Sequence, residues 1–295
     1  MVSAPSKQNQ HATSRKPLVI AHRGASAFAP ENTMAAFKLA LLLGADGIEL
    51  DVQLSSDGYP VVIHDRRLDR TTGVAGRVSK FSANDLGQLD AGSWFARRLS
   101  LRPRIRALSE KLAVAAGTQL DFSSESVPRL DDVLKLVGKR HSVRLYIELK
   151  TEPGRREQLL ETTISAVRDH RMQTSITLLS FDHQIMARAK QLAPEIRSAA
   201  TFAIGGRTLA GPRKVSEAAR LLGVDEVALH FGLANRRMVS ALRDAGLSIS
   251  VWTVNNRLVM RKLITAGVGS IMTNYPDRLF AAMERHTLTS GPSDL

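Results

Sequence analysis

Short apolar runs that stop at a polar residue alternate along this chain with longer segments of helical period, the pattern of buried parallel strands separated by amphipathic helices. The first run is PLVIA at 17–21, and it ends at His22-Arg23-Gly24. Pro30-Glu31-Asn32-Thr33 then opens a helix, with Asn32 or Thr33 as the cap for MAAFKLALLLG, which closes at Gly44. GIELDV at 47–52 reads as a strand. Because strand side chains alternate, Glu49 and Asp51 face the same side, about 7 Å apart at Cα from a rise of about 3.3 Å per residue. The turn residues Ser55-Ser56-Asp57-Gly58 lead into PVVI at 60–63, a second short strand that delivers His64-Asp65.

Residues 66–128 leave this rhythm. They hold turn-rich LDRTTGVAGRVS, then FSANDLGQLDAGSWF, a basic stretch at 97–106 and a short helical candidate at 108–116, and together read as an insertion on the main domain. From Leu130 the alternation returns through helix LDDVLKLVG, strand VRLYIELK, helix GRREQLLETTISAVRDH, strand SITLLS, helix HQIMARAKQLA and strand IRSAATF. It continues with helix KVSEAARLLG, strand EVALH, helix NRRMVSALRDAG, strand SISVWTV, helix RLVMRKLITAG, strand GSIMT and a last helix from Pro276. With the strands at 17–21 and 47–52 these make eight strand–helix units, which predict an α/β fold of the (β/α)8 TIM-barrel type rather than an open doubly wound sheet. The barrel is expected over 17–288, with 1–16 a disordered tail and 289–295 a flexible C-terminus.

In such a barrel the chemistry gathers at the C-terminal ends of the strands. Those ends carry His22 and Arg23, then Glu49 and Asp51, then Glu148 and Lys150, and finally Trp252 to Asn255. Glu49, Asp51 and Glu148 supply three carboxylates, an all-oxygen set suited to a hard divalent cation such as Mg2+ or Ca2+. A phosphodiester oxygen on that cation would find further cationic partners in Arg23 and Lys150. His22 and His64 reach the same rim, where one can accept a proton from an attacking hydroxyl and the other return one to the leaving alkoxide. A lone strand-end histidine is commonly structural, and Trp252 fits core packing as well as a pocket wall. Several buried strand-end carboxylates, however, call for a compensating cation. Of the remaining histidines, His141, His170, His183, His230 and His286 read as structural or surface residues, with His230 the exception to watch because it ends a strand.

Composition narrows the partners. The 295 residues contain no cysteine, which removes disulfides and thiolate metal sites and is compatible with a reducing compartment. The net charge of +13 favours anionic partners such as phosphate esters, acidic lipid surfaces or nucleic acid. Aromatic residues are only 5%, so the basic and aromatic interleaving of a single-strand nucleic-acid binder is not present and no nucleic-acid partner is expected. No apolar run reaches the length of a membrane span and the N-terminal tail has no apolar signal core, so a cytoplasmic location is expected. The basic residues Arg97, Arg98, Arg102, Arg104 and Arg106 allow peripheral contact with an anionic membrane, each worth about 1 kcal/mol near such a surface. A solvated basic loop is the plainer account of them.

The motifs HRG at 22–24, PENT at 30–33, E-x-D at 49–51, DGxPVVxHD at 57–65, LDRTTG at 68–73, E-x-K at 148–150 and TNxPD at 273–277 together resemble the glycerophosphodiester phosphodiesterases. The resemblance runs from about Leu18 to Leu279. It implies a TIM barrel that hydrolyses glycerophosphodiesters to glycerol 3-phosphate and an alcohol, with His22 and His64 as the acid–base pair. It further implies that Glu49, Asp51 and Glu148 bind the divalent metal, that Arg23 and Lys150 hold the phosphate, and that Trp252 lies beside the glycerol. LDAGSWF and VPRLDDVL match landmarks of the family's small inserted subdomain, but 96–126 is longer and more basic than the family's usual connection. That departure leaves room for a lysophospholipid substrate.

Overall fold

The computed structural model describes residues 16–115, 122–140, 142–205 and 211–289. The proposed N-terminal tail up to residue 15, the C-terminal residues 290–295, His141 and the side chain of His286 lie outside them. In chain order the elements are β1 (Leu18–His22), α1 (Met34–Leu42), β2 (Gly47–Leu54) and β3 (Pro60–Val62), followed by α2 (Asp69–Thr72), α3 (Ala83–Leu86), α4 (Ser93–Ser100) and α5 (Pro103–Ala115). Then come α6 (Leu130–Gly138), β4 (Arg144–Leu149), α7 (Arg156–Asp169), β5 (Ile176–Ser180), α8 (His183–Leu192), β6 (Arg197–Phe202) and α9 (Pro212–Leu222). The chain ends with β7 (Glu226–His230), α10 (Arg236–Asp244), β8 (Ser248–Trp252), α11 (Arg257–Ala266), β9 (Ser270–Thr273) and α12 (Pro276–Thr289).

Eight of these strands are parallel, in the spatial order β1-β9-β8-β7-β6-β5-β4-β2, and pairing of β1 with β2 closes them into a TIM barrel. β3 pairs antiparallel with β2 as a hairpin on the outside of the count. The barrel strands are largely buried on both faces because one face meets the helices and the other meets the barrel interior. Ile48, Leu50 and Ile147 pack outward, while Ile20, Tyr146, Leu179, Ala199, Ala228 and Met272 fill the inside. Among the described residues no helix is long and apolar enough to cross a membrane.

The segment between β3 and α6 is more helical than its sequence suggested. Where a short helix was expected at 108–116, α5 begins at Pro103 and is preceded by α4. Pro103 sits in the first turn of α5, where a missing N–H costs nothing. The apolar stripe Ile105, Leu108 and Leu112 packs onto the main core from between the arginines, which hide it from a periodicity reading. A second, smaller core under β3 gathers Val61, Ile63, Leu68, Val78 and Leu86.

Candidate active site and metal centre

The register of three neighbouring strands assembles the site. β1 and β2 pair His22 with Glu49, and β2 and β4 pair Asp51 with Glu148, so four functional side chains stand side by side at the C-terminal rim. The ligand oxygens of Glu49, Asp51 and Glu148 all lie within 4.8 Å of one another, and all three residues are buried. Burial, followed by repulsion from Asp51 and Glu148, pushes the Glu49 carboxyl well above its usual range. Glu148 is raised by burial too, with Lys150 opposing the rise. Burial would also raise Asp51, but Lys150 and Arg23 outweigh it and hold that carboxyl low.

Two side-chain cations serve these three carboxylates. Lys150 Nζ stands 2.6 Å from Glu148 Oε1 and 3.0 Å from Asp51 Oδ1, and Arg23 Nε lies 3.1 Å from Asp51 Oδ2. The Lys150 ammonium is the one cation on Asp51 Oδ1 among the described residues, and it approaches outside strict hydrogen-bond geometry. A hard divalent cation fits this donor set, since it would take the poorly satisfied Asp51 oxygen and relieve the repulsion that raises Glu49.

The β1–α1 loop is bent to serve the carboxylates. Arg23 (φ 54°) and Asn32 (φ 58°) both adopt the left-handed region, uncommon for residues with a Cβ, as functional loops often do. In that conformation the Arg23 N–H donates to Glu49 Oε2 at 3.0 Å, and the Asn32 amide donates to Asp51 Oδ2 at 2.8 Å. Gly24 follows at φ +79°, with a Cβ there falling 2.6 Å from the Ala36 carbonyl carbon, so α1 packs directly on the loop.

The two histidines are held differently. His22 Nδ1 pairs with Asn274 Oδ1 at 2.8 Å, which leaves Nε2 facing Thr253 Oγ1 at 3.3 Å and Glu49 Oε2 at 3.8 Å. Burial and then the Arg23 charge push its pKa down to about 4, so the ring is neutral at ordinary pH. His64 Nδ1 pairs with Asp65 Oδ1 at 2.6 Å; burial lowers its pKa as well, with Asp51 and the Asp65 bond opposing the fall. His64, Asp65, Lys150, Phe181 and Asp182 line a cavity of about 570 Å3.

An aromatic cluster begins at Phe181, whose ring centroid lies 6.0 Å from Lys150 Nζ. Trp252 stands edge-on to Phe181 and to His230, each at 5.4 Å, and donates Nε1–H to Ala228 O at 3.1 Å. Trp252 thus packs against the inner core and stands beside Phe181, which lines the cavity. Phe181 and Phe231 extend this cluster into solvent.

All eight residues singled out from the sequence sit at this rim. Four partners escaped that reading: Asn274 on His22, Asn32 on Asp51, Asp65 on His64, and Phe181 beside Trp252. Asn32 was visible only as a possible helix cap, a role that Thr33 fills by accepting from Ala36 N. His183 donates Nε2–H to Thr201 O and lies tilted against Phe202, and His170 pairs with Asp131, as structural residues do.

Residues 22–278 match the family described as the glycerophosphoryl diester phosphodiesterase family. A glycerophosphodiester phosphodiesterase of Caldanaerobacter subterraneus is 34% identical over 270 residues, covering 90% of this chain and 96% of that protein. One from Bacillus subtilis is 34% identical over 284 residues, covering 94% and 89%. Among solved structures, an Oleispira antarctica phosphodiesterase in complex with the product sn-glycerol 3-phosphate superposes with a TM-score of 0.77 at 28% identity, covering 91% of this chain and 97% of that one.

Proposed function

The chain belongs to the glycerophosphoryl diester phosphodiesterase family, and on that premise we propose that it hydrolyses glycerophosphodiesters to glycerol 3-phosphate and an alcohol, with His22 and His64 as its acid–base pair and a divalent cation, Mg2+ or Ca2+, on Glu49, Asp51 and Glu148. The observation that carries the reading is the convergence of three buried carboxylates and two cations between two differently tethered histidines. When bound, the cation neutralises a phosphoryl oxygen and makes phosphorus more electrophilic. Arg23 and Lys150 already sit on the carboxylates and supply the remaining positive charge that the phosphate needs. Trp252 offers the glycerol carbons an apolar face.

His22, neutral and tethered through Nδ1, presents Nε2 as the base that takes the proton of the attacking hydroxyl. His64 rests on the Asp65 carboxylate, which orients the ring and opposes the burial that lowers its pKa, and in its protonated form it returns a proton to the leaving alkoxide as the P–O bond breaks. The same base serves attack by water or by the substrate's own neighbouring hydroxyl, and a cyclic phosphodiester caught by rapid quenching marks the second route.

Purified protein supplied with Mg2+ or Ca2+ should release glycerol 3-phosphate from glycerophosphocholine, and EDTA should abolish the release. His22→Ala and His64→Ala should each lose at least about a hundredfold in kcat, the usual scale for a general acid or base. Activity that survives chelation and Glu49→Ala overturns the metal assignment, and a loss of only severalfold removes that histidine from the pair.

A second reading concerns lysophospholipids and an anionic membrane surface. It is favoured by Leu101, 84% exposed in the turn between α4 and α5 and flanked by Arg97, Arg102 and Arg104. Arg102 Nη1 reaches Tyr275 Oη at 3.5 Å, one residue past Asn274, so this basic turn borders the catalytic mouth. Vesicles of phosphatidylcholine with phosphatidylserine should sediment the protein at low salt, and Leu101→Asp should weaken this. Equal turnover of lysophosphatidylcholine and glycerophosphocholine, with no sedimentation, leaves the turn a solvated basic loop.

A further inference from the structure

The segment that follows β3 contributes a side chain that the mechanism above does not use. Arg70 lies in α2 and its guanidinium is fully engaged. Nη2 and Nη1 clasp Glu31 Oε1 and Oε2 at 2.7 and 3.0 Å, while Nε reaches Asp65 Oδ2 at 2.5 Å. Each of these carboxylates has a second partner in the site. Glu31 Oε1 accepts from Arg23 Nη1 at 2.8 Å, and Asp65 Oδ1 pairs with His64 Nδ1 at 2.6 Å. Arg70 thus joins the phosphate-side arginine to the ring proposed as general acid, through two carboxylates outside the Glu49, Asp51 and Glu148 group.

The arrangement is built rather than accidental. Leu68, fully buried in the small core under β3, anchors the start of α2, and Gly73 ends it in the left-handed conformation. Arg67, a second guanidinium close by, is held on Asp69 and cannot replace Arg70 on these carboxylates. Without Arg70, Glu31 still holds Arg23 through its own 2.8 Å bond, so the phosphate side stays in place. Asp65 would lose the donor that fixes its second oxygen and could rotate off His64. A lysine cannot substitute, since its single ammonium does not span two carboxylates with a planar fork.

We propose that Arg70 is a positioning residue for proton delivery to the leaving group: it fixes Asp65 so that the carboxylate orients the His64 ring. The proposal rests on His64 being the acid, and its test separates the two. Loss of proton delivery matters for a choline or ethanolamine leaving group, whose alkoxide is strongly basic, and little for a p-nitrophenyl phosphodiester, whose phenolate leaves unaided.

Arg70→Ala, Arg70→Lys and His64→Ala should therefore be compared with wild type on glycerophosphocholine and on a p-nitrophenyl glycerophosphodiester. Both Arg70 variants should lose roughly tenfold to a hundredfold in kcat on the first substrate and less than about threefold on the second. KM and the thermal midpoint should stay close to wild type. Because the Arg70 side chain is 44% exposed, millimolar guanidinium should partly restore Arg70→Ala on glycerophosphocholine. Equal losses on both substrates, or none on either, overturn the role of Arg70. If His64→Ala is selective while Arg70→Ala is not, the acid assignment stands and this proposal alone falls; if His64→Ala loses both substrates equally, both fall.

Discussion

The side chains that define the chemistry announce themselves by period, whereas those that hold them do not. Glu49 and Asp51 are two apart on a strand, and this spacing alone puts them on one face. Asn32 makes two contacts with Asp51, donating to its carboxylate and accepting from its N–H at 3.3 Å, across 19 residues of chain. Nothing local in PENT distinguishes that role from helix capping. Groups that orient metal ligands commonly carry ten- to a hundredfold of metal affinity. Asn32→Gly removes the amide while keeping the left-handed backbone accessible, so it should weaken Mn2+ binding by about tenfold to a hundredfold in calorimetry. Asn32→Ala should be worse, as it adds backbone strain; equal binding by wild type and Asn32→Gly would show that Asp51 is held by Lys150 and Arg23 alone.

At the scale of elements, the apolar runs located the barrel strands because a parallel strand buried on both faces has no solvent-exposed face to blur the signal. β4 and β7 run where the sequence placed them, and so does α6, whose apolar stripe is not interrupted. The helices α4 and α5 were only partly legible. Five arginines and Pro103 fall among their few apolar positions, and the packing partners of Phe95 are Trp94 and Phe122, the latter 27 residues away in sequence. The β2–β3 hairpin was legible as a turn between short strands. Its consequence was not: by pairing with β2 it turns the chain so that His64 and Asp65 come back over β4, within reach of Arg70 and next to Lys150 in one cavity.

For the whole molecule, closure is what completes the site, because Asn274 comes from the chain beyond β9 and reaches His22 only when β9 pairs with β1. The same closure buries a charge at the opposite end of the barrel. Glu226 opens β7 and is 4% exposed, with Oε2 3.4 Å from Arg197 Nη2 and Oε1 lacking a hydrogen-bond partner among the described residues. Burial raises its pKa, and Ser250, Arg197 and Tyr146 offset only part of the rise. A carboxyl raised in the folded state binds its proton more tightly there than in the unfolded chain. Its contribution to stability is therefore most favourable below the unfolded value of about 4.3 and declines as pH climbs from there toward the raised folded value. Glu226→Gln removes that decline but keeps the size of the side chain. The thermal midpoint of Glu226→Gln minus that of wild type should thus grow more positive as pH rises from about 4 to 7, in a metal-free buffer series read by calorimetry. A difference that is flat, or that falls with pH, would mean that the ion pair with Arg197 outweighs the cost of burying the charge.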